Sequence, residues 1–91
     1  MGTSKSIQAL KYTDAETRLK IILSNLARTD GVPDHDGTRI NMKITHQSLA
    51  EMAGTSRETI SRMISRLQNQ NLLKMSSRKF VLLDHPYWRE L

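Results

Sequence analysis

The sequence predicts a mainly α-helical domain with small β-hairpins. Three observations indicate it: apolar residues recur at helical spacing over residues 19–26, two short capped segments are separated by Gly54, and two apolar runs flank Ser76-Ser77-Arg78. Two helices joined by a short glycine-containing turn form a helix-turn-helix, and a hairpin after them supplies a wing. The predicted fold is therefore a winged helix-turn-helix.

Length and composition restrict the chain to one small domain without cysteine chemistry. The chain has 91 residues, of which 37% are hydrophobic, and no run approaches the roughly 20 apolar residues that a membrane span needs. The lack of cysteine excludes disulfides, thiolate nucleophiles and cysteine-bound metals, and it is compatible with the cytoplasm. The histidines are scattered, and no nucleophile stands beside a base. We therefore expect no enzymatic activity, metal site or membrane association.

The first helix is predicted to begin at Thr13 and to end near Thr29. Thr13 and Glu16 match a capping box, in which each side chain accepts a hydrogen bond from the other residue's amide. After the helix, Gly31 is available for a left-handed cap. The apolar residues that recur on the inner face of this helix are Leu19, Ile22, Leu23 and Leu26.

A turn and a short strand are predicted next. Residues 32–37 are rich in turn-forming residues, and Ile40, Met42 and Ile44 then alternate with polar residues. The turn contains the D-x-D-G pattern of a calcium loop, but Thr45 stands where the acidic residue that closes such a loop is required. A turn is therefore the preferred interpretation.

Two further helices follow in quick succession. Thr45 can cap a helix that ends near Ala53, and Thr55 and Glu58 form a second capping box, from which a third helix runs to about Gln70. The connection between these two helices is thus only about three residues long.

The spacing of three small or apolar residues fits the crossing of these helices. Ala50 lies where a large side chain would hold the helices apart, Gly54 permits the turn, and Ile60 packs into the angle between them. The methionines at apolar positions, which are predicted to lie in the core, are Met42, Met52, Met63 and Met75.

The excess positive charge of the chain is concentrated in residues 57–79. This stretch contains six basic side chains and one acidic one, whereas the remaining chain contains eight of each. A localised basic patch is expected of a protein whose partner carries many phosphates. On a helical wheel, the apolar face of the third helix consists of Ile60, Met63, Ile64 and Leu67. The opposite, polar face consists of Arg57, Glu58, Ser61, Arg62 and Ser65.

The residue types on the polar face suit recognition of double-stranded DNA. Arg57 and Arg62 can chelate guanine in the major groove, and Glu58 can accept a hydrogen bond from cytosine. A carboxylate would repel phosphates, which favours base reading by Glu58; the alternative is that it only caps its helix. Arg78 and Lys79, near the wing tip, are expected to contact phosphates, unless they only solubilise the hairpin.

Two stretches carry a more specific pattern, Ile44-Thr45-His46-Gln47 and Gly54-Thr55-Ser56-Arg57-Glu58-Thr59-Ile60-Ser61-Arg62. Together with the segment at 68–73 and the following hairpin, they closely resemble the DNA-binding domain of the CRP/FNR family of bacterial transcription regulators. The resemblance covers about residues 12–83. It implies that a recognition helix of about residues 56–70 enters the major groove.

The resemblance also implies roles for individual residues. Those that match Arg57, Glu58 and Arg62 contact bases, and Ser61 joins them in the FNR branch of the family. Because both branch patterns are present, a TGTGA- or a TTGAT-like half-site fits, and Arg57 favours the former because it is available for the extra guanine. The residues expected from the resemblance to contact or approach phosphates are His46, Gln47, Ser56 and Thr59.

The resemblance further implies that the chain is the output domain of a longer regulator. Residues 1–11 are expected to be a cloning remnant and the stub of a dimerisation helix, residues 12–83 the DNA-binding domain, and residues 84–91 a tail in which Tyr87 and Trp88 pack against the core. The effector domain is missing, so no cofactor is expected here. The full-length protein is expected to be a homodimer with RNA polymerase as a further partner, and the isolated domain a monomer. The alternative is a winged-helix protein-interaction module without specific DNA binding.

Overall fold

The computed structural model describes residues 14–89 as three α-helices and one antiparallel β-sheet of four strands. The helices are α1 (Ala15–Asp30), α2 (His46–Ala53) and α3 (Arg57–Asn69), and the strands are β1 (Gly31–Asp34), β2 (Gly37–Ile40), β3 (Leu73–Ser76) and β4 (Lys79–Leu83), followed by a short 3-10 helix (Pro86–Trp88). This arrangement confirms the winged helix-turn-helix. The expected stub of a dimerisation helix in residues 1–11 lies outside the described residues.

Helix α1 begins at Ala15 and is capped by Asp14, so the prediction of Thr13 as the cap was wrong. The Asp14 carboxylate accepts a hydrogen bond from the amide of Thr17 at 2.8 Å. This bond holds the pKa of the Asp14 carboxyl below its usual value, because it stabilises the charged form. A carboxylate in extended backbone before the first turn is as good a cap as threonine, which is why the helix begins one residue late.

Gly31 does not form the expected left-handed cap, because its φ of −82° places it in extended backbone as the first residue of β1. Its lack of a side chain serves a close approach instead, since a Cβ there would lie 2.0 Å from the carbonyl oxygen of Ala27. The strand predicted around Ile40, Met42 and Ile44 was also misplaced. Strand β2 ends at Ile40, and the other two residues lie in the loop before α2.

The sheet order is β1-β2-β4-β3, so the hairpin that follows α1 is joined edge to edge with the wing. In this sheet β2 and β4 are the central strands, and Gly37 pairs with Leu83. A Cβ on Gly37 would lie 2.0 Å from the carbonyl oxygen of Leu82, so glycine permits this contact. The outer strand β1 contains Pro33, which lies opposite Thr38 of β2.

The turn between α2 and α3 has the predicted glycine geometry. Gly54 adopts a left-handed conformation with φ of 69°, and Thr45 caps α2 as expected by accepting from the amide of Ser48. Helix α3 is capped by Ser56, whose side chain accepts from the amide of Thr59, so the prediction of Thr55 as the cap was wrong.

The core lies between the three helices and one face of the sheet. Ala50 and Ile60 are both buried where α2 crosses α3, as their spacing predicts. Of the four methionines predicted in the core, only Met63 is buried. The other three are partly exposed, at 37% for Met42, 50% for Met52 and 42% for Met75. Apolar spacing on a short helix or hairpin does not ensure that a neighbouring element covers the residue.

The wing is the hairpin of β3 and β4. Its two connecting residues, Ser77 and Arg78, have φ of 52° and 66°. Two consecutive left-handed residues between paired strands correspond to a type I′ turn, which matches the twist of the strands. This confirms the predicted tight hairpin around residues 76–78.

The tail after β4 packs onto the domain as expected. Trp88 is buried, and its Nε1 donates a hydrogen bond to the carbonyl of Leu72 at 2.7 Å. Tyr87 donates from its hydroxyl to Glu16 at 3.4 Å, and burial together with Glu16 raises the pKa of Tyr87 to about 12. The tail therefore contacts both the beginning of α1 and the segment that follows α3.

Candidate nucleic-acid interface

Helix α3 presents one buried and one exposed face. Its buried residues are Ile60, Met63, Ile64 and Leu67. Of the residues predicted to read bases, Arg57, Glu58 and Arg62 are exposed, whereas Ser61 is half-buried. The structure therefore brings the three charged candidates onto one accessible surface, next to the beginning of α2.

The six basic residues of the 57–79 stretch fall into two groups. Arg66 forms an ion pair with Glu16 of α1, and Lys74 forms one with Asp36 in the turn between β1 and β2. The hydrogen bond from Lys74 lowers the pKa of the Asp36 carboxyl. The remaining four form no ion pair with any acid among residues 14–89; they are Arg57, Arg62, Arg78 and Lys79. The sequence alone could not separate the groups, because both acids are remote from the stretch.

The capping alternative for Glu58 does not fit the geometry. In a capping box, the Glu58 carboxylate would accept from the amide of Thr55. That amide donates instead to the carbonyl of Ala50 at 2.9 Å, and the residue three positions after the actual cap, Ser56, is Thr59. Glu58 makes no hydrogen bond to a residue in the described part of the chain, so its carboxylate faces solvent.

Ser61 is held by a residue of the neighbouring helix. Its Oγ lies 2.8 Å from Nδ1 of His46, the first residue of α2. The His46 ring in turn stacks on Phe80 of β4, with the ring centroids 6.4 Å apart. This contact joins the two helices of the motif and the inner strand of the wing, and nothing in the sequence pattern predicted it.

The candidate phosphate contacts at the two helix starts are partly engaged with one another. Ser56 Oγ and Thr59 Oγ1 lie 2.8 Å apart, and Arg62 donates to Thr59 Oγ1 at 3.5 Å. Gln47 is exposed and donates to Glu51, four residues along α2, at 3.3 Å. These are surface bonds that a competing phosphate oxygen can replace at small cost.

A shallow groove runs between the beginning of α2 and the first turns of α3. Its lining residues are Thr45, His46, Gln47, Arg57, Glu58 and Ser61. Five of these six residues were candidate contacts from the sequence. The structure thus brings three of the four base-reading candidates and two of the six phosphate candidates together in one groove, which Arg62 does not line.

The wing supplies the remaining candidates. Arg78 is exposed in the turn, and Lys79 Nζ donates to Oδ1 of Asn41 at 2.8 Å. Asn41 lies in the loop between β2 and α2 and was not recognised from the sequence, because an asparagine in a loop carries no signal for a partner 38 residues away. It orients the lysine without neutralising its charge.

Within residues 14–89, no helix is both long and apolar enough to cross a membrane. Among the same residues, no three or more histidine, cysteine, aspartate or glutamate side chains are grouped so that they could hold a metal ion.

The sequence matches a known domain family and is similar to known transcription regulators. Residues 17–91 match the family model described as a Crp-like helix-turn-helix domain. The global nitrogen regulator of Synechocystis sp. is 35% identical over 82 residues, which make up 90% of this chain and 36% of that protein. The cAMP-activated global transcriptional regulator CRP of Haemophilus influenzae is 37% identical over 82 residues, which make up 89% of this chain and 36% of that protein. The chain thus spans little more than a third of the length of these relatives.

Solved structures share the fold. A variant of CooA from Carboxydothermus hydrogenoformans superposes with a TM-score of 0.81 at 26% identity, over 92% of this chain and 39% of the CooA chain. Reduced, ligand-free CprK superposes with a TM-score of 0.77 over 96% of this chain and 42% of its own; its 18% identity supports the fold alone.

Proposed function

This chain belongs to the family of Crp-like helix-turn-helix domains, and from that premise we propose that it binds double-stranded DNA sequence-specifically, as the output domain of a transcription regulator. Helix α3 is the recognition helix and enters the major groove. The proposed half-site is TGTGA- or TTGAT-like, with preference for TGTGA because Arg57 is available for an additional guanine.

The observation that carries this proposal is the division of the basic residues. Arg66 and Lys74 are paired with acids elsewhere in the domain, whereas Arg57 and Arg62 of α3 are not paired with acids among residues 14–89. The same holds for Arg78 and Lys79 at the tip of the wing. Unpaired cations on a helix face and a neighbouring hairpin match the charge pattern of a duplex, in which a groove lies beside phosphate backbones.

The chemistry of the exposed residues supports a division of labour. Arg57 and Arg62 are proposed to donate to guanine O6 and N7, and Glu58 to accept from cytosine N4. Ser61 is proposed to contact a base from its position beside His46. The proposed phosphate contacts, which set position rather than sequence preference, are His46, Gln47, Ser56, Thr59, Arg78 and Lys79.

The regulator to which this domain would belong is proposed to be a homodimer that reads a two-fold symmetric site, since two recognition helices must match two half-sites. RNA polymerase is proposed as a further partner of the full-length protein, and the cytoplasm as its compartment. An effector, if one is bound, is expected outside this domain. The relatives named above are regulators rather than enzymes, which agrees with the expectation of no catalysis.

Fluorescence anisotropy with labelled duplexes tests the proposal. A palindrome of two TGTGA half-sites, a palindrome of two TTGAT half-sites and a shuffled duplex are titrated at two salt concentrations. Both the 91-residue chain and a dimer of it tethered at the N-termini are used, because linking two modules recovers the avidity that a monomer lacks.

Tighter binding of one palindrome than of the shuffled duplex, with affinity that falls steeply in salt, is the expected result. Equal binding of all three duplexes by the tethered dimer would overturn sequence-specific recognition. Absence of binding at low salt would favour the protein-interaction module instead.

A further inference from the structure

His46 and Ser61 meet at the proposed interface through one hydrogen bond of 2.8 Å between Nδ1 and Oγ. Both residues are half-buried, and the stacking of the His46 ring on Phe80 restricts its orientation. The second ring nitrogen, Nε2, makes no hydrogen bond to any of residues 14–89. It is therefore available to a ligand in the groove that His46 and Ser61 both line.

The positions of the ring proton of His46 and the hydroxyl proton of Ser61 determine which atoms of the pair can donate or accept further hydrogen bonds. A neutral imidazole carries one N–H, and a serine carries one O–H. If Nδ1 holds the ring proton, it donates to Ser61, and Nε2 presents a lone pair. If Nε2 holds the proton, Nδ1 accepts the hydroxyl proton of Ser61. Whether Nε2 carries the ring proton thus determines whether Ser61 donates or accepts in its hydrogen bond with Nδ1.

A phosphate beside His46 selects the second arrangement. Phosphodiester oxygens are acceptors, so they bind Nε2–H and repel an Nε2 lone pair. In the neutral ring, Nδ1 must then accept, and it takes the only hydroxyl proton of Ser61. The serine oxygen keeps its two lone pairs, and these are all that it can present to the edge of a base.

We propose that His46 makes Ser61 an acceptor-only reader of bases. The domain would then prefer a base that presents an amino group to Ser61, either adenine N6 or cytosine N4, over one that presents a carbonyl, either thymine O4 or guanine O6. His46 is a specificity-determining residue that acts through Ser61. This inference rests on the proposed function, because it requires a phosphate at His46 and a base at Ser61.

The test measures base preference rather than affinity. The 91-residue chain is titrated against duplexes that carry every single base-pair substitution of the half-site, at about pH 8, where free imidazole is neutral. Ser61→Ala first identifies the base pair at which the serine acts. At that pair, the amino group is then removed, with purine in place of adenine or 2-pyrimidinone in place of cytosine. The unaltered chain should prefer the duplex that retains the amino group about fivefold, the equilibrium effect of one neutral hydrogen bond.

Substitutions of His46 then separate the effect of its hydrogen bond to Ser61 from the effect of its stacking on Phe80. His46→Phe retains a ring that can stack on Phe80 but has no nitrogen, so Ser61 can donate as well as accept and its preference should fall to about twofold or less. His46→Asn places an amide oxygen near the position of Nδ1, where it accepts the Ser61 proton, and it should restore the preference. Thermal unfolding verifies that each variant is folded. If His46→Phe unfolds, His46→Gln replaces it, because its amide lies near the position of Nε2.

An equal preference for the amino group in the unaltered chain and in His46→Phe would overturn the inference, as would no preference for the amino group at the Ser61 pair in the unaltered chain. The same holds if Ser61→Ala changes discrimination at no position. Failure of the proposed function has a different signature: the unaltered chain would then bind the half-site and the shuffled duplex equally.

Discussion

The amide of Thr55 donates to the carbonyl of Ala50 across the turn between α2 and α3, at 2.9 Å. This bond occupies the donor that Glu58 would need in a capping box. The amide of the turn and the capped amide of the helix start thus have their hydrogen-bond partners without the glutamate. The exposed Glu58 carboxylate makes no hydrogen bond to any of residues 14–89. A negative charge beside Arg57 on the face that is proposed to meet DNA calls for another explanation, which base reading provides.

Replacement of Glu58 by glutamine should therefore impair recognition more than folding. We expect discrimination at one base pair to relax by about 1–3 kcal/mol, measured by anisotropy on single-substituted duplexes. Ser56→Ala is the matched control, because it removes the actual cap and should lower the free energy of unfolding by about 1 kcal/mol with base discrimination unchanged. Unaltered discrimination in Glu58→Gln would contradict base reading.

Arg62 and Arg66 are one helical turn apart on α3 but should differ in their effect on DNA binding. Arg62→Gln should reduce specific binding by about 1–3 kcal/mol, as expected for loss of a bidentate contact to guanine. Arg66→Gln removes the same charge but breaks only the ion pair with Glu16, so it should leave base discrimination intact. Equal losses of affinity in both variants, on specific and shuffled duplexes alike, would indicate that net charge alone determines binding.

Lys79 is expected to act on every DNA sequence alike. Lys79→Ala should weaken specific and shuffled duplexes by a similar factor and reduce the slope of log affinity against log salt by about one. Asn41→Ala serves as the control, because it removes the partner of Lys79 without removing the charge and should leave the slope unchanged. A loss confined to one DNA sequence would contradict the phosphate role.

The wing turn offers a way to stabilise the domain. Ser77 has φ of 52°, a conformation that costs residues other than glycine about 1 kcal/mol. Ser77→Gly should therefore raise the free energy of unfolding in urea by up to about 1 kcal/mol. The comparison is Ser76→Gly, within β3, which should lower it by about 0.5–1 kcal/mol. A lower stability of Ser77→Gly would mean that the turn is not left-handed in solution.

Trp88 tests whether the tail is part of the folded unit. Trp88→Ala should cost about 3–5 kcal/mol, as for other buried aromatic side chains. Trp88→Phe should cost less, about 0.5–1.5 kcal/mol, because it removes the hydrogen bond from Nε1 to the carbonyl of Leu72, while that carbonyl still accepts from the amide of Leu83. Arg89→Ala, at an exposed neighbour, provides the baseline in the same urea titrations. A Trp88→Ala variant as stable as this control would place the domain boundary before the tail.

The sequence predicted the helical part of the fold well, because its signals are local. Thr45 caps its helix as expected, and Gly54 has the left-handed backbone that its position in the turn required. The other two caps were each placed one residue early. A capping box is recognised by residue types at fixed spacing, and Asp14 and Ser56 are equally competent neighbours of the threonines that were chosen.

The sheet was harder to predict, because it depends on contacts that are distant in the chain. The pairing of β2 with β4 joins Gly37 to Leu83, and no local pattern encodes that register. Strand β1 was missed because turn-forming residues dominate its sequence. Similarly, the exposure of Met52 and Met75 follows from what lies beside them, which apolar spacing cannot indicate.

The candidate interface was predicted residue by residue but not as a set of contacts. The spacing on α3 placed Arg57 and Arg62 on one face, and the structure agrees. The bond between His46 and Ser61 could not be foreseen, because it depends on how α2 crosses α3 and on where Phe80 of the wing strand lies.

The outer strands of the sheet bear on how copies of the domain behave when crowded. An outer strand exposes unpaired amides and carbonyls that can recruit a strand from another molecule. In β1, Pro33 has no amide hydrogen to offer. Both outer strands, β1 and β3, are only four residues long. Copies gathered at high local concentration along one DNA molecule are thus protected against fusing into a shared sheet and aggregating.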